Sequence, residues 1–264
     1  MGQSHKSLRG IWKVIRVIWI AAGLSFLLWM AYSYQSRGFP KSVLQSDRLI
    51  TVSESSENIS FIPIENKRST ALIFYPGGMV DPKAYAPMAR HIAENGYAVY
   101  IVKLPLRSAL LSWQETNVMN YTRQLMATNQ SIQRWVLGGH SRGAAIASRF
   151  AADHAVYHHD LFSGLILIGT SHPKESKFDL SNSGLPVMKI YATRDGLASV
   201  SEIEQTSKFL PSDTIWVTIN GGNHSQFGYF GTLLGDGRAE ISRDKQQEMT
   251  VSAILSMLNS VHVE

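Results

Sequence analysis

Residues 135–152 read Trp135-Val136-Leu137-Gly138-Gly139-His140-Ser141-Arg142-Gly143-Ala144-Ala145-Ile146-Ala147-Ser148-Arg149-Phe150-Ala151-Ala152. Trp135–Leu137 is a short apolar run, suited to a buried strand. Gly143–Ala152 is rich in small residues at helical spacing. Between them, Gly139-His140-Ser141-Arg142-Gly143 fits G-x-S-x-G. That pattern places a serine on a sharp strand-to-helix turn, where the glycines relieve crowding and the hydroxyl projects above a sheet. Five residues with three fixed occur by chance, so the flanking strand and helix give the motif its weight.

Working outward, strand-like and helical stretches alternate from about residue 48. Arg48–Val52 and Ile59–Ile64 read as an opening β-pair. Ala71–Tyr75 is a buried strand ending at Pro76-Gly77-Gly78. Asp81 then caps a helix with Pro82 in its first turn, and Gly96 stops it. Tyr97–Val102 is the next strand, followed by a helix over Met119–Met126. Further strands are predicted at Leu165–Ile168, Val187–Tyr191 and Thr214–Ile219, and further helices at Ile203–Phe209 and Gln246–Leu258. This alternation predicts an α/β fold, a mainly parallel twisted sheet with helices on both faces. Ligands of such sheets bind at the carboxyl ends of the strands.

A serine hydroxyl is a poor nucleophile without a base, and the base needs an orienting acid. With G-x-S-x-G the chain order must be Ser, then Asp or Glu, then His. Asp195 follows the strand Val187–Tyr191, and His224 follows Thr214–Ile219. Ser141, Asp195 and His224 therefore fall at one edge of the sheet as a candidate triad. An oxyanion needs preorganised N–H donors. The backbone N–H of Arg142 is one candidate, and Gly78 in the Pro76–Met79 turn is the other, with Met79 as alternate. Met79 and Phe227 are expected to touch substrate, although Phe227, Tyr229 and Phe230 fit either a pocket wall or the core. Only 17 residues separate Ile168's turn from the next strand, Thr170 to Pro186, too few for a helical cap domain.

Three stretches carry a resemblance: Tyr75-Pro76-Gly77-Gly78-Met79-Val80-Asp81-Pro82, Gly138–Gly143, and Gly221-Gly222-Asn223-His224-Ser225-Gln226-Phe227-Gly228. Together with Gly235-Asp236-Gly237 and Ile241-Ser242-Arg243 they resemble a bacterial, dienelactone-hydrolase-like branch of the α/β-hydrolase superfamily over about residues 45–260. The resemblance implies an eight-stranded sheet and an Asp195–His224 pair serving Ser141. Arg142 departs from the branch, which often has an aliphatic residue there.

Charge is unevenly placed. Six of the 25 bases and none of the 20 acids fall in residues 1–46, so the rest of the chain is close to neutral and the net +5 belongs to the N-terminal segment. That excludes a basic stripe on the body and with it a nucleic-acid partner. The uncharged residues 17–36 are long enough to cross a bilayer as a helix. They read as a membrane anchor or a signal peptide, with Ala31-Tyr32-Ser33 a tolerable cleavage site. Lys6, Arg9, Lys13 and Arg16 keep residues 1–16 cytoplasmic under the positive-inside rule. A linker over 37–47 then leads to the body, 48–264, outside the cytoplasm. Lys6 stands where myristoylation wants Ser or Thr, which excludes that anchor.

Cysteine is absent, which removes disulfides, Cys-ligated zinc and a Cys nucleophile together. His154 and His158 have i, i+4 spacing with His159 beside them, but a third ligand is lacking and a solvated helix end accounts for them, so no metal or cofactor is expected. Arg142, Arg194 and Arg107 are all placed near the catalytic edge, where they would favour an anionic substrate unless acids such as Asp160 or Glu204 pair with them. The expected activity is hydrolysis of small-molecule carboxylic or thio esters through Ser141. The alternative is a non-catalytic binding module of the same fold facing the cell exterior.

Overall fold

The computed structural model describes residues 2–157 and 162–261. Eight strands form one sheet: β1 Ile50–Glu54, β2 Asn58–Pro63, β3 Thr70–Tyr75, β4 Ala98–Val102, β5 Arg134–His140, β6 Gly164–Ile168, β7 Val187–Ala192 and β8 Ile215–Ile219. Their spatial order is β1-β2-β4-β3-β5-β6-β7-β8. β1 pairs antiparallel with β2, β2 antiparallel with β4, and every other pair is parallel. Long helices are α1 Gly2–Ser33, α2 Ala86–Glu94, α3 Ser112–Thr128, α4 Arg142–Tyr157, α5 Val200–Thr206 and α6 Arg243–Ser260.

Side-chain alternation along β3 builds the layers. Leu72 and Phe74 enter one core with Met88 and Ile92 of α2 and Ile254 and Leu258 of α6. Ala71, Ile73 and Tyr75 enter the other with Val118 and Leu125 of α3 and Ile146 and Phe150 of α4. Both sheet faces are therefore covered, which is why these strands are near-continuous apolar runs.

α3 begins seven residues earlier than the apolar pattern implies. Its buried stripe includes the polar Gln114 and Thr122. Thr122 Oγ1 meets Tyr75 Oη at 2.6 Å, and Gln114 Oε1 accepts the Leu111 N–H at 3.1 Å. Polar residues satisfied this way pack like apolar ones but break a hydrophobicity count. The capping of the turn before α2 agrees with the sequence: Asp81 Oδ1 accepts the Lys83 N–H at 3.0 Å, and Gly96 adopts φ +91°.

The apolar part of α1, Ile11–Ser33, is long enough to cross a membrane, and of it only Ser33 is buried against the body. Beyond Ser33 the chain lies against the body. The Ser33 carbonyl accepts the Gly231 N–H at 2.7 Å, the Tyr34 carbonyl accepts the Asp81 N–H at 2.9 Å, and the Arg37 N–H donates to the Tyr229 carbonyl at 2.8 Å. Ser36 Oγ adds a bond to Asp81 Oδ2 at 2.8 Å, and Arg90 Nη1 reaches the carbonyls of Val43 and Gln45.

Candidate active site

Ser141 sits between β5 and α4 with φ +52°, in the left-handed region that non-glycine residues avoid. The turn holds it there by close backbone approach. A Cβ on Gly139 would lie 2.5 Å from the Gly143 carbonyl carbon, and one on Gly143 would lie 2.5 Å from the Pro76 oxygen, with the Tyr75 oxygen nearer still. Glycine at both positions lets the β5–α4 turn nest against the end of β3. The Ser141 N–H donates to the Ile168 carbonyl at 2.9 Å, fixing the turn to β6 as well.

Asp195 and His224 come from the loops after β7 and β8, and both are buried. His224 Nδ1 lies 2.8 Å from Asp195 Oδ2. Asp195 Oδ1 accepts the N–H groups of Leu197 at 2.8 Å and Ala198 at 2.7 Å. A carboxylate accepts only, so Nδ1 carries the imidazole proton and Nε2 presents a lone pair. His224 and Ser141 line one open cleft of about 260 Å³, together with Ala145, Thr170, His172 and Lys174. Among the described residues no hydrogen bond joins Ser141 Oγ to His224.

On the facing turn, the Met79 N–H is committed to the Arg107 carbonyl at 2.6 Å and to Ser108 Oγ at 3.1 Å. Gly78 is packed against residue 142, since a Cβ there would lie 3.2 Å from Arg142 Cβ. The N–H of Arg142, at the first position of α4, has no intrahelical acceptor. The turn that closes β3 therefore packs against the residue that follows Ser141.

The chain belongs to the alpha/beta hydrolase family. A model of that family matches residues 71–248. No curated protein sequence matches. Among solved structures the chain resembles a soluble variant of monoglyceride lipase from Saccharomyces cerevisiae in complex with a substrate analogue. That match has a TM-score of 0.63 at 11% identity and covers 84% of this chain and 97% of the lipase. An esterase from Pyrobaculum calidifontis gives a TM-score of 0.63 at 16% identity, covering 83% of this chain and 88% of the esterase. A predicted CIB-like hydrolase from Thermoplasma acidophilum gives 0.59 at 12% identity, covering 78% of this chain and 98% of that one. At such identities the likeness establishes the fold.

Within this alpha/beta hydrolase, the other residues singled out in the sequence fall differently. Phe227 is 1% exposed and part of the core, with its ring 5.4 Å from that of His140. It does not line the cleft, because the turn after His224 folds the Phe227 ring inward under the sheet edge. Met79, at φ +63° and 47% exposed, stands on the outer side of its turn and also misses the cleft wall. Arg142 is among the residues lining the cleft, and its guanidinium bonds to the carbonyls of Ser108 and Ala109 and to Glu115, which also accepts two bonds from Arg149. Arg194 pairs with Glu240, and Arg107 meets Gln35 Oε1. The partner acids are Glu115 and Glu240 rather than Glu204, and Arg107 meets a neutral amide oxygen instead of an acid. Asp160, His158 and His159 lie outside the described residues, and α4 places His154 by its backbone alone. Among the described residues no group of three His, Asp or Glu could hold a metal.

His140, the variable residue of the motif, lies beneath His224 with ring centroids 4.4 Å apart. Tyr85 Oη accepts the Gly77 N–H at 3.0 Å and hydrogen-bonds to His140 Nδ1 at 2.8 Å. Burial, with His224 beside it, holds His140 well below the ordinary histidine range, and it stays neutral under the candidate base. In the loop bordering the cleft, burial and the neighbouring Arg149, Lys174, Lys189 and Arg142 push His172 down to about 4. Beneath it, Lys189 is fully enclosed and donates to the His172 carbonyl at 2.6 Å, and burial brings its ammonium down to about 7.

One important residue carried no role in the sequence. Asp236 Oδ1 accepts the N–H of His224 at 3.1 Å, and Oδ2 accepts the N–H and Oγ–H of Ser225 at 2.8 and 2.6 Å. Gly237 packs against Arg194 and Gly196 against Gly235, so this segment ties the Asp195 and His224 loops together. Gly-Asp-Gly is its only signal, and it reads as an ordinary turn. Asp236→Ala leaves several enclosed donors unmatched and is expected to lower stability by about 2–4 kcal/mol, with Asp236→Asn losing less because it keeps an acceptor. Thermal melting of the two variants side by side tests this, and equal melting points for Asp236→Ala and the parent would refute it.

Proposed function

We propose that the chain is a membrane-tethered serine hydrolase that cleaves carboxylic or thio esters through an acyl-enzyme on Ser141. The observation carrying this reading is the buried His224 Nδ1–Asp195 Oδ2 bond at 2.8 Å, in a histidine that shares a cleft with Ser141. His224 Nε2 takes the proton of Ser141 Oγ as that oxygen attacks the ester carbonyl. The resulting oxyanion is held by the N–H groups of Gly78 and Arg142. Collapse expels the alcohol or thiol, which receives the proton back from His224. Water, deprotonated by the same nitrogen, then attacks the acyl-Ser141 ester and releases the acid. Asp195 orients the imidazole and stabilises its cation. Neutral His140 beneath adds no opposing charge.

The esterase and lipase among the similar structures support ester chemistry, and the open cleft without a cap supports a small or exposed acyl group. Tethering is supported by the exposed apolar length of α1 and by Ser33 being enclosed against the body, since cleavage after Ser33 would discard that contact. Lys6, Arg9, Lys13 and Arg16, ahead of the apolar run within α1, support a cytoplasmic position for residues 1–16 and the body outside it.

A fluorophosphonate probe applied to the full-length protein in membranes is expected to label Ser141 and to label nothing in Ser141→Ala. The labelled protein should stay in the membrane pellet after carbonate washing. An unlabelled wild-type chain would favour the non-catalytic binding module instead. A mature chain beginning near Tyr34 would replace the anchor with a cleaved signal.

A further inference from the structure

The residues leaving α1 are bonded to the same sheet edge that carries Ser141. Ser33 holds the loop after His224 through Gly231, Tyr34 holds Asp81 just beyond the Gly78 turn, and Gln35 Oε1 meets Arg107. From Val17, the first residue after the last cytoplasmic charge, to Ser33 there are 17 residues. A helix of that length spans about 25 Å at ~1.5 Å per residue. This is slightly less than the ~30 Å hydrocarbon core. A helix so short leaves no stem between bilayer and body. Whatever surrounds its end lies at the headgroup level.

What surrounds it is apolar and unpartnered. Among the described residues after the α1 exit, eleven large apolar side chains are exposed; six of them stand on loops at the carboxyl edge of the sheet, and a seventh, Trp113, in the first turn of α3. Leu106, Leu110 and Leu111 belong to the connection from β4 into α3, which Trp113 adjoins, with Leu106 88% and Leu110 75% exposed. Leu106 adjoins Arg107, the residue that touches Gln35. The backbone of this connection is held in an uncommon shape, with Leu106, Arg107 and Ala109 all at positive φ. Arg142 and Glu115 brace it from within. A constrained loop presenting leucines outward is built to display them. A basic group belongs to it, Arg107, whose guanidinium meets Gln35 Oε1 where the chain leaves α1. Leucine and tryptophan flanked by arginine is the composition of a surface that seats in a lipid headgroup layer.

We propose that the connection between β4 and α3 seats in the outer leaflet of the bilayer that α1 crosses, so that the Ser141 cleft opens at the membrane surface and receives esters carried by amphiphiles lying in that leaflet. This rests on the anchor reading above but goes beyond tethering, because it fixes which face of the body meets the lipid.

Native cysteine is absent, so single-cysteine variants report cleanly. Leu110→Cys and Ser212→Cys, the latter exposed at the opposite edge before β8, are each labelled with an environment-sensitive fluorophore. The full-length chains are reconstituted into phosphatidylcholine vesicles containing spin-labelled lipid. Position 110 is expected to be quenched at least about threefold more than position 212, with a blue-shifted emission. Equal quenching in chains that float with the vesicles overturns the proposal while leaving the anchor intact. Chains that fail to float overturn both. In parallel, Leu106→Asp with Leu110→Asp is expected to reduce cleavage of a long-chain ester embedded in vesicles about tenfold. Cleavage of a water-soluble acetate ester stays within about twofold. A parallel fall in both rates counts against the proposal. Preferential quenching at position 110 with no ester cleaved by the parent supports the surface and removes the hydrolase reading instead.

Discussion

Ser141→Ala and His224→Ala are each expected to lower ester turnover by roughly 10⁴–10⁶-fold, and the double variant by scarcely more. The small extra loss in the double variant is the informative part. If Ser141 supplies the attacking oxygen and His224 only removes its proton, either loss disables the same step, and the second loss has nothing left to remove. Asp195→Asn should fall by about 10⁴, because its amide side chain favours the wrong imidazole tautomer while keeping the shape of the site. KM should change little in all three, since none of these groups holds the ground-state ester. Steady-state kinetics on a soluble acetate ester measures each of them. Full activity in Ser141→Ala, or independent multiplicative losses in the double variant, would contradict the acyl-enzyme.

The second large effect is structural. Gly143→Ala is expected to cost at least about 3 kcal/mol. The added methyl group would overlap the carbonyl oxygens of Tyr75 and Pro76, both of them backbone atoms that cannot rotate aside. Relief requires moving β3 or the first turn of α4, and either movement displaces Ser141. For a chain of this size the melting temperature should drop by roughly 6–12 °C, with activity lost below the melt as well. Gly184→Ala is the control. It also has positive φ, at +65°, but nothing lies near its new methyl group, so only the backbone strain is felt, about 1 kcal/mol. A Gly143→Ala protein that melts with the parent would mean the β5–α4 turn is not packed as described.

How much could be read beforehand depended on whether a residue's role is local. Strand positions were legible because buried parallel strands are short apolar runs with glycine or proline at their ends. The grouping of Ser141, Asp195 and His224 was legible because each follows a strand, and a parallel sheet delivers the ends of its strands to one edge. The end of β3 at Pro76-Gly77-Gly78 was legible for a similar reason. Side-chain direction was harder. Met79 and Phe227 lie close to the site in sequence, but one points out to solvent and the other into the core, and no period of two or 3.6 governs a turn. The arginines show the same limit. Arg142 is next to Ser141 in the chain, yet its direction is decided by Glu115 on α3, a helix whose beginning the apolar pattern hid. Asp236 was the least visible, since its work is to accept bonds from loops elsewhere in the chain.

The bonds joining Ser33, Tyr34 and Arg37 to the loops around Ser141 also bear on how such a protein can change over time. An anchor joined by a loose tail can be exchanged, lengthened or lost by recombination with little effect on the enzyme it carries. Here the seam passes through the working face: a foreign helix spliced in before residue 38 would have to supply carbonyls for the N–H groups of Gly231 and Asp81 and a donor for the Tyr229 carbonyl. Helix and body are therefore expected to be inherited as one piece, with the last turn of α1 counted among the parts of the hydrolase fold.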